Sequence, residues 1–388
     1  MYSKPLYNFR EAKLGPDFAQ NKLKEFKELI EATLSFVVIS MPGVGVSYFL
    51  KYLATLDFAH FIHVDLYDLP ILSQHEFYSL LLTEVGGSPG SKTDEQLFSE
   101  TKEKIRQLAD SQKREKIVIV FSRFDTLKDQ FDWNFLSNIQ SLTNVSPGKI
   151  VLIFTSTKPL HEIVSAETLA GGNLNFYSEN LYFKPYSKED LKKLLQIEPA
   201  RPTPKETLEQ LLELSGGHNQ LLHILLSSPK EQLLLDRFVK MQMKELVDYL
   251  DYHQRKTIQN IALGKSITEV DDYLLAVGMV KKEKVQSSRF KVQLFTSLLT
   301  EYIKTNAPVR LPVKESKLFK CLRKNLGRTV SKDEIFAEVW GSSTEESEEA
   351  TDWALDALIY RLRKHPFMQK GGYIIESHKK VGYTLIQT

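Results

Sequence analysis

Residues 40–47 read SMPGVGVS and contain the glycines and the hydroxyl of a loop that could bind phosphate groups. In the pattern G-x-x-x-x-G-K-[ST], glycines let the backbone approach the phosphates, lysine neutralises their charge and the hydroxyl binds Mg²⁺. This chain keeps Gly43, Gly45 and Ser47, but Val46 occupies the lysine position. The N–H groups at the start of the next helix remain to attract an anion. Two interpretations stay open, a weakened phosphate-binding loop and an ordinary tight turn between a strand and a helix.

Polar residues also follow two later apolar runs, at positions where a phosphate site needs an acid. An aspartate directly after EKIVIVF (residues 115–121) would bind Mg²⁺, but Ser122 and Arg123 stand there. Asp125 comes three residues after Ser122, and we expect it to form a turn or cap the next helix. Arg123 could bring a guanidinium near the missing lysine, although an exposed loop arginine is the favoured interpretation. Thr155 ends the next run, where a phosphate-sensing side chain would lie.

Aromatic and basic residues repeat with helical spacing near the C-terminus, between Thr351 and His365. Side chains three and four positions apart share one face of a helix. A helix in the major groove of DNA reads base edges, while Lys and Arg around it neutralise phosphates. Trp353 could contact bases or pack in a core, and the sequence slightly favours the core. The candidate DNA-binding residues, two of them in a predicted hairpin turn, are Trp353, Ala357, Tyr360, Arg361, Arg363, Lys364, Lys379 and Lys380.

Five apolar runs separated by helical patterns must position the residues of the loop and the strand ends. The longer runs are continuous, as in strands buried on both faces of a parallel sheet. Strands that alternate with helices favour a three-layer α/β domain, in which ligands bind at the carboxyl ends of the strands. The predicted strands cover residues 36–39, 61–67, 115–121, 149–156 and 181–183, and the predicted helices cover residues 22–33, 73–84, 94–111 and 133–142.

The composition is that of a globular protein, with 42% hydrophobic and 26% charged residues in a chain of 388. This length predicts two or three domains. The net charge is only +2, so any contact with nucleic acid must come from a local basic patch. The single cysteine, Cys321, excludes an intrachain disulfide, and we expect it to be buried. Neither a membrane-spanning run nor a signal-peptide pattern is found, so we expect a cytoplasmic protein that does not bind membranes.

Residues 20–305 resemble the AAA+ and STAND class of P-loop ATPases. The resemblance is carried by SMPGVGVS, IVIVFSRFD, the strand end FTST, and LSGGHNQLLHILL (residues 214–226). It implies a P-loop NTPase-like parallel sheet, a helical lid and a winged helix that serves mainly in packing and regulation. The chain departs from this class at the loop lysine and at both acidic positions. This implies an inactive ATPase with no catalytic residue, no metal and no cofactor, and the alternative is ATP or ADP bound without hydrolysis.

The last domain resembles the effector winged helix of the OmpR type in bacterial response regulators. This resemblance implies double-stranded DNA as the partner. The residues that carry it are Glu315 and Leu318, residues 327–334 with Trp340 and Gly341, the run Arg361, Leu362, Arg363 and Lys364, and Gly382 with Tyr383. The family's basic and histidine positions earlier on the third helix are replaced by Trp353 and Leu358.

The two resemblances together predict two winged-helix (α+β) domains after the α/β domain and its lid. We expect an N-terminal arm (1–20), a degenerate ATPase-like domain (21–186), a helical lid (187–247), a first winged helix (248–305), a linker (306–310) and an OmpR-type winged helix (311–388).

Three functions remain open from the sequence. The leading hypothesis is a DNA-binding transcriptional regulator with a catalytically inactive ATPase-like scaffold. The second is a STAND-type switch that binds nucleotide without efficient hydrolysis. The third is a protein-docking subunit of a larger complex, such as a defence or mobile-element system, or a homo-oligomer. The acidic insert SSTEESEEATD (residues 342–352) favours the third hypothesis if it lies beside the binding face, because it would repel DNA.

Overall fold

The chain forms two compact units, Met1–Thr305 and Asn306–Thr388. The computed structural model describes residues 10–111, 115–165, 168, 179–198, 204–228, 230–265, 267, 269–286, 289–306, 313–341, 351–365, 367–368, 372–378 and 381–387. Four predicted features therefore lie wholly or partly outside the described residues: residues 1–9 of the N-terminal arm, residues 307–310 of the linker, residues 342–350 of the acidic insert, and Lys379 and Lys380 of the C-terminal turn.

The first unit starts with strands that alternate with helices. A 3-10 turn, Arg10–Leu14, precedes them and packs on this domain, since Leu14 and Phe18 are buried. The strands are β1 (Phe36–Ser40), β2 (Ala59–Asp65), β3 (Lys116–Ser122), β4 (Ile150–Ser156) and β5 (Asn180–Phe183). The helices are α1 (Gln20–Glu31), α2 (Val46–Ala54), α3 (Gln74–Glu84), α4 (Asp94–Ser111), α5 (Trp133–Ser141) and α6 (Leu160–Ile163).

These five strands form one sheet in the order β2-β3-β4-β1-β5, and every neighbouring pair is parallel. Strands β1 and β4 are buried along their whole length because helices cover both faces of the sheet. The structure thus confirms the predicted α/β fold. Because β3, β4 and β1 are neighbours, their carboxyl ends lie at one edge of the sheet, where the loop after β1 also begins.

The predicted strand at residues 61–67 was wrong at both ends, because β2 covers Ala59–Asp65. The carboxylate of Asp65 accepts a hydrogen bond from the backbone N–H of Tyr67 at 3.1 Å. This cap starts the 3-10 turn Leu66–Asp68, which ends the strand. The turn leaves the Tyr67 side chain exposed beside the carboxyl edge of the sheet.

A helical lid and a small helix-and-hairpin module complete the first unit. The lid helices are α7 (Lys188–Gln196), α8 (Lys205–Ser215), α9 (Asn219–Ser227) and α10 (Arg237–Asp248). The module contains α11 (Tyr252–Ala262), α12 (Asp272–Ala276), β6 (Val280–Gln286), β7 (Arg289–Leu294) and α13 (Ser297–Asn306). Strands β6 and β7 are antiparallel, and a capping box between Asp251 and Gln254 starts α11. This arrangement agrees with the predicted first winged helix.

The second unit has three main helices and a three-stranded antiparallel sheet ordered β8-β10-β9. Its own core includes Leu318, Leu322, Leu362 and Leu385. Cys321 is buried in it, as predicted. The elements are α14 (Val313–Lys324), β8 (Thr329–Ser331), α15 (Lys332–Trp340), α16 (Asp352–Lys364), β9 (Tyr373–His378) and β10 (Gly382–Gln387).

No helix in the described part of the chain combines the length and the apolar character needed to cross a membrane.

Stacked aromatic side chains of β3 and β4 should dominate the stability of the first unit. Phe121 is fully buried and stacks on Phe154 with ring centroids 5.2 Å apart. We expect Phe121→Ala to lower the free energy of unfolding by about 3–5 kcal/mol, because it removes apolar burial and leaves a cavity. The control is Phe238→Ala on α10, where the ring is 51% exposed and the same change should cost less than about 1 kcal/mol. Urea unfolding followed by circular dichroism measures both, and equal losses would contradict this account of the core.

Candidate functional site

The loop after β1 turns sharply before α2 starts at Val46. Gly43 has φ +73° and Gly45 has φ +108°, so both adopt the left-handed conformation that favours glycine. Val46 is 9% exposed and belongs to the hydrophobic core. The position of the family's lysine is therefore occupied by a buried apolar side chain, which leaves this turn without a cation.

Four consecutive carbonyl groups of this loop accept hydrogen bonds from the side of the lid. Nε2 of His218 lies 2.7 Å from the carbonyl oxygen of Pro42. The backbone N–H groups of Gln220 and Asn219 donate to Gly43 and Val44, at 3.0 and 3.5 Å. The hydroxyl of Tyr186, just before α7, donates to Gly45 at 2.8 Å. We name these four hydrogen bonds the loop–lid contact. It holds the start of α9 directly on the loop.

Packing against the lid accounts for both glycines of the loop. A Cβ atom at Gly43 would lie 2.0 Å from Oε1 of Gln220, and one at Gly45 would lie 2.8 Å from Cε2 of Tyr186. Neither distance leaves room for a side chain without movement of the neighbour. The glycines that suggested a phosphate-binding loop are therefore needed for this contact, whether or not a phosphate ever binds.

His218 occupies a defined protonation state within the contact. Its Nδ1 accepts a hydrogen bond from the backbone N–H of Leu221 at 3.2 Å, which caps the N-terminus of α9. Because a carbonyl can only accept, Nε2 must carry the proton that is donated to Pro42. Burial lowers the pKa of His218 to about 4, and burial also raises the pKa of Tyr186. Both groups are therefore neutral at physiological pH.

A cavity of about 870 Å³ opens beside the loop, at the carboxyl edge of the sheet. It is large enough for a small ligand. Its charged and polar lining includes Ser47, Arg123, Asp125, Thr155, His223 and Glu245. The cavity thus brings together most of the residues predicted for a phosphate site, but it adds a carboxylate from α10 that the sequence did not single out. In the described part of the chain, no cluster of His, Cys, Asp or Glu residues is suited to hold a metal ion.

The side chains of the two residues at and after the end of β3 interact with other protein groups, and they do not surround a metal position. Ser122 is buried, and its Oγ lies 2.6 Å from Nε2 of His63 at the end of β2. Arg123 has φ +60°, and its backbone N–H donates to Oγ1 of Thr155 at 2.7 Å. Its guanidinium pairs with Asp65 at 3.4 Å and stands 4.7 Å from the ring centroid of Tyr67. The side chain is 41% exposed, so it is a partly exposed loop arginine held by two neighbours.

Asp125 lies within the helical turn Phe124–Gln130, so it is a turn residue, one of its two predicted roles, and it is not the cap of that turn. Its Oδ2 accepts hydrogen bonds from the backbone N–H and the hydroxyl of Thr157, at 2.9 and 2.6 Å. The backbone carbonyl of Thr157 in turn accepts a hydrogen bond from the hydroxyl of Tyr273 on α12, at 2.5 Å. Asp125 therefore joins the turn after β3 to the loop after β4 and, through it, to the first winged helix.

Sequence reasoning missed the lid-side partners Tyr186, His218, Asn219 and Gln220. Three of them lie in LSGGHNQLLHILL, which the pattern identified only as a lid helix with glycines. The signal available was His218, a helix-capping residue placed directly before a strongly apolar helix. Nothing in the local pattern indicates that its other nitrogen reaches a loop 176 positions earlier.

Helix α16 of the second unit separates apolar and aromatic residues onto different faces. Leu355, Leu358, Ile359 and Leu362 are buried in the core. Trp353 is 80% exposed and Tyr360 is 64% exposed, so the preference for Trp353 as a core residue was wrong. Ala357 is half-buried between them. The predicted groove face thus consists of exposed aromatic rings with a small residue between them.

Basic residues at the end of α16 are held in place by neighbouring elements. Nε of Arg361 donates to Oε1 of the buried Glu315 at 2.8 Å. Arg363 donates to the carbonyl of Ile375 at 3.0 Å and to the hydroxyl of Ser377 at 2.6 Å, which fixes β9 against the helix. Lys364, the last residue of the helix, is exposed. Three cations therefore lie close together at one end of α16.

Residues 306–385 match the protein family described as "Transcriptional regulatory protein, C terminal". The C-terminal domain is an OmpR-type winged helix. Its three helices, its three-stranded sheet and the hairpin of β9 and β10 agree with this assignment.

Solved structures similar to this chain include three ATPases or DNA complexes. The ORC1 protein of Aeropyrum pernix in complex with DNA is 13% identical, covers 76% of this chain and 96% of its own, and has a TM-score of 0.40. The Walker-type ATPase of Pyrococcus abyssi is 14% identical, with 76% and 95% covered and a TM-score of 0.44. Drosophila ORC bound to DNA is 17% identical, with 96% and 91% covered and a TM-score of 0.37. No curated protein matches the chain.

Substitution of Gly45 tests whether the lid packs on the loop as described. Gly45→Ala should lower the free energy of unfolding by about 2–4 kcal/mol, because it adds steric overlap to the cost of a left-handed alanine. The matched control is Gly86→Ala, where φ is +84° and no atom lies within 4 Å of the added Cβ. That variant should lose only about 1–2 kcal/mol. Thermal unfolding compares the two, and an equal loss would mean that the loop is not covered.

The buried neutral His218 predicts a pH dependence of stability. In the unfolded chain the imidazole binds a proton below its ordinary pKa of 6.5, whereas in the folded chain it does so only near pH 4. The unfolded state therefore binds more protons in this window, and stability falls as the pH is lowered from 6.5 to 4. We expect this group to contribute a loss of about 3 kcal/mol.

His218→Asn is the control for that pH dependence, because asparagine also caps helices but does not titrate. Urea unfolding at a series of pH values should show a shallower decline for the variant than for the native chain. Parallel curves would contradict the assigned protonation state.

Proposed function

We propose that this protein is a DNA-binding transcriptional regulator whose ATPase-like unit is a scaffold without ATP hydrolysis. The observation that carries the proposal is the presence of an OmpR-type winged helix with three cations at the C-terminal end of α16. The residues proposed to contact DNA are Trp353, Ala357, Tyr360, Arg361, Arg363, Lys364, Lys379 and Lys380, of which the last two lie outside the described residues.

The contacts of the basic residues support phosphate binding. Arg361 uses Nε for Glu315, and the two Nη groups of a guanidinium carry four further N–H donors. A buried carboxylate that holds Nε fixes the plane of this guanidinium before DNA arrives, which reduces the side-chain entropy lost on binding. Lys364 adds a second charge one turn away, and Arg363 holds the strand that leads into the wing.

The absence of hydrolysis is proposed from the chemistry of the positions that an ATPase needs. Val46 offers no cation for the phosphates, and Ser122 and Arg123 offer no carboxylate for Mg²⁺ directly after β3. Asp125, the nearest acid, has one carboxylate oxygen engaged by Thr157. These features together favour a structural role for the unit.

Salt-dependent binding tests the DNA contact. Fluorescence anisotropy with the full chain and a random-sequence duplex, repeated over a range of KCl concentrations, gives the slope of log K against log salt. Lys364→Ala should weaken binding and flatten the slope by about one unit, because one phosphate contact releases about one counterion. The control is Lys320→Ala, which removes the same charge from an exposed position on α14. Equal effects of the two variants, or no salt-dependent binding at all, would contradict the proposal.

Measurement of phosphate release from Mg-ATP tests whether the ATPase-like unit lacks hydrolysis. The native chain and Ser47→Ala should both give the rate of the buffer alone. Turnover by the native chain that Ser47→Ala abolishes would show that the loop still supports catalysis.

A second candidate function is nucleotide binding without hydrolysis, and the cavity beside the loop favours it. Arg123 is the cation that could face a phosphate there. Calorimetry with Mg-ATP and with ADP would then give saturable binding that Arg123→Gln removes and that Arg237→Gln, on the exposed start of α10, retains. Absence of binding heat at millimolar nucleotide would exclude this function and leave the DNA-binding proposal intact.

A further inference from the structure

Two large aromatic side chains on α16 remain in water while the other large apolar residues of this helix are buried. Trp353 and Tyr360 are 80% and 64% exposed. They are seven residues apart, which is close to two helical turns, so they lie on one face about 10.5 Å apart along the axis. Ala357 lies between them and leaves the face open. An exposed Trp and Tyr at this spacing suggest a surface that another molecule covers.

The carboxylates nearest to this aromatic face are engaged by protein groups. Asp352 pairs with Nζ of Lys332 at 2.9 Å. Asp356 accepts a hydrogen bond from the hydroxyl of Tyr383 at 2.5 Å. The ammonium group of Lys332 offsets the charge of Asp352, which reduces the repulsion that this acid would exert on a polyanion. At the other end of the helix, Arg361 and Lys364 follow Tyr360 within one turn. The two exposed rings are therefore followed by cations at the C-terminal end of the helix, which favours a polyanion with apolar groups in its groove.

We infer that Trp353 and Tyr360 read thymine methyl groups in the major groove, an inference that rests on the proposed DNA-binding function. The C5-methyl of thymine is the apolar group that base pairs present in this groove. Trp353 is the second residue of α16, and the N-terminal residues of a recognition helix are the ones that contact base edges. With a rise of about 3.4 Å per base pair, the two rings span about three base-pair steps. The preferred site thus contains thymines, or 5-methylcytosines, at about this separation.

Duplexes that differ only in this methyl group test the inference. The probes are alternating A·T and alternating A·U duplexes, together with alternating G·C duplexes with and without 5-methylcytosine. Burial of one methyl group strengthens binding about four-fold, so two contacts give a ratio of about fifteen between A·T and A·U. The methylated G·C duplex should exceed the plain one by a similar ratio. Fluorescence anisotropy with the full chain measures all four affinities.

Variants of Trp353 and Tyr360 test whether these two rings cause the difference in affinity between the A·T and A·U duplexes. Trp353→Ala and Tyr360→Ala should each reduce the A·T to A·U ratio to about four. Tyr360→Phe keeps the ring and should retain the ratio. Lys364→Ala should weaken binding to all four duplexes equally and leave both ratios unchanged. Thermal unfolding checks that the two alanine variants stay folded, as expected for exposed positions.

The outcomes separate this inference from the function on which it rests. No binding to any duplex would overturn the proposed function. Salt-dependent binding with equal affinity for the A·T and A·U duplexes would leave that function standing and overturn the methyl readout. A ratio that persists in both alanine variants would also overturn it, and would mark the aromatic face as a surface for a protein partner.

Discussion

The first unit depends on hydrogen bonds that the loop after β1 makes with the lid. The lid side covers four backbone carbonyls in a row and gives each one a donor, and a carbonyl buried there without its donor would cost about 1–3 kcal/mol. The segment before α9 also packs against the first winged helix. Thr296 donates a hydrogen bond to the carbonyl of Leu214, and a Cβ at Gly216 would lie 2.3 Å from the carbonyl oxygen of Phe295. Sheet, lid and first winged helix therefore pack as one body around a short loop.

Much of the architecture follows from patterns that act locally. Continuous apolar runs predicted the strands to within two residues, because strands buried on both faces are apolar except near their ends. The predicted end of β2 was wrong because the cap at Asp65 starts a 3-10 turn, and this outweighs the apolar character of Leu66. The partners of the loop could not be predicted, since they come from positions 141 to 177 residues later in the chain. The exposure of Trp353 could not be predicted either, because helical spacing does not say which of two faces of the helix packs on the core.

The C-terminal domain uses the same side chains for folding and for its exposed charge. Glu315 on α14 holds Arg361, and Arg363 holds β9, so both arginines connect α16 to its neighbours. A change at either arginine alters packing and surface charge together, and its effect on a partner cannot be separated from its effect on stability. Lys364 lacks such a double role in the contacts described, which makes it the cleaner reporter of surface electrostatics.

The buried valine in the turn has a consequence for protein engineering. Lysine at position 46 would replace a buried valine that belongs to the hydrophobic core and also borders the cavity beside the loop. An attempt to install ATP turnover by that single replacement would encounter a desolvation penalty with no phosphate to offset it. The loop is also packed against the lid at Gly43 and Gly45, so a changed loop needs a matching change in the lid. Redesign of this chain toward triphosphate chemistry therefore requires coordinated changes in two distant segments, each harmful when made alone.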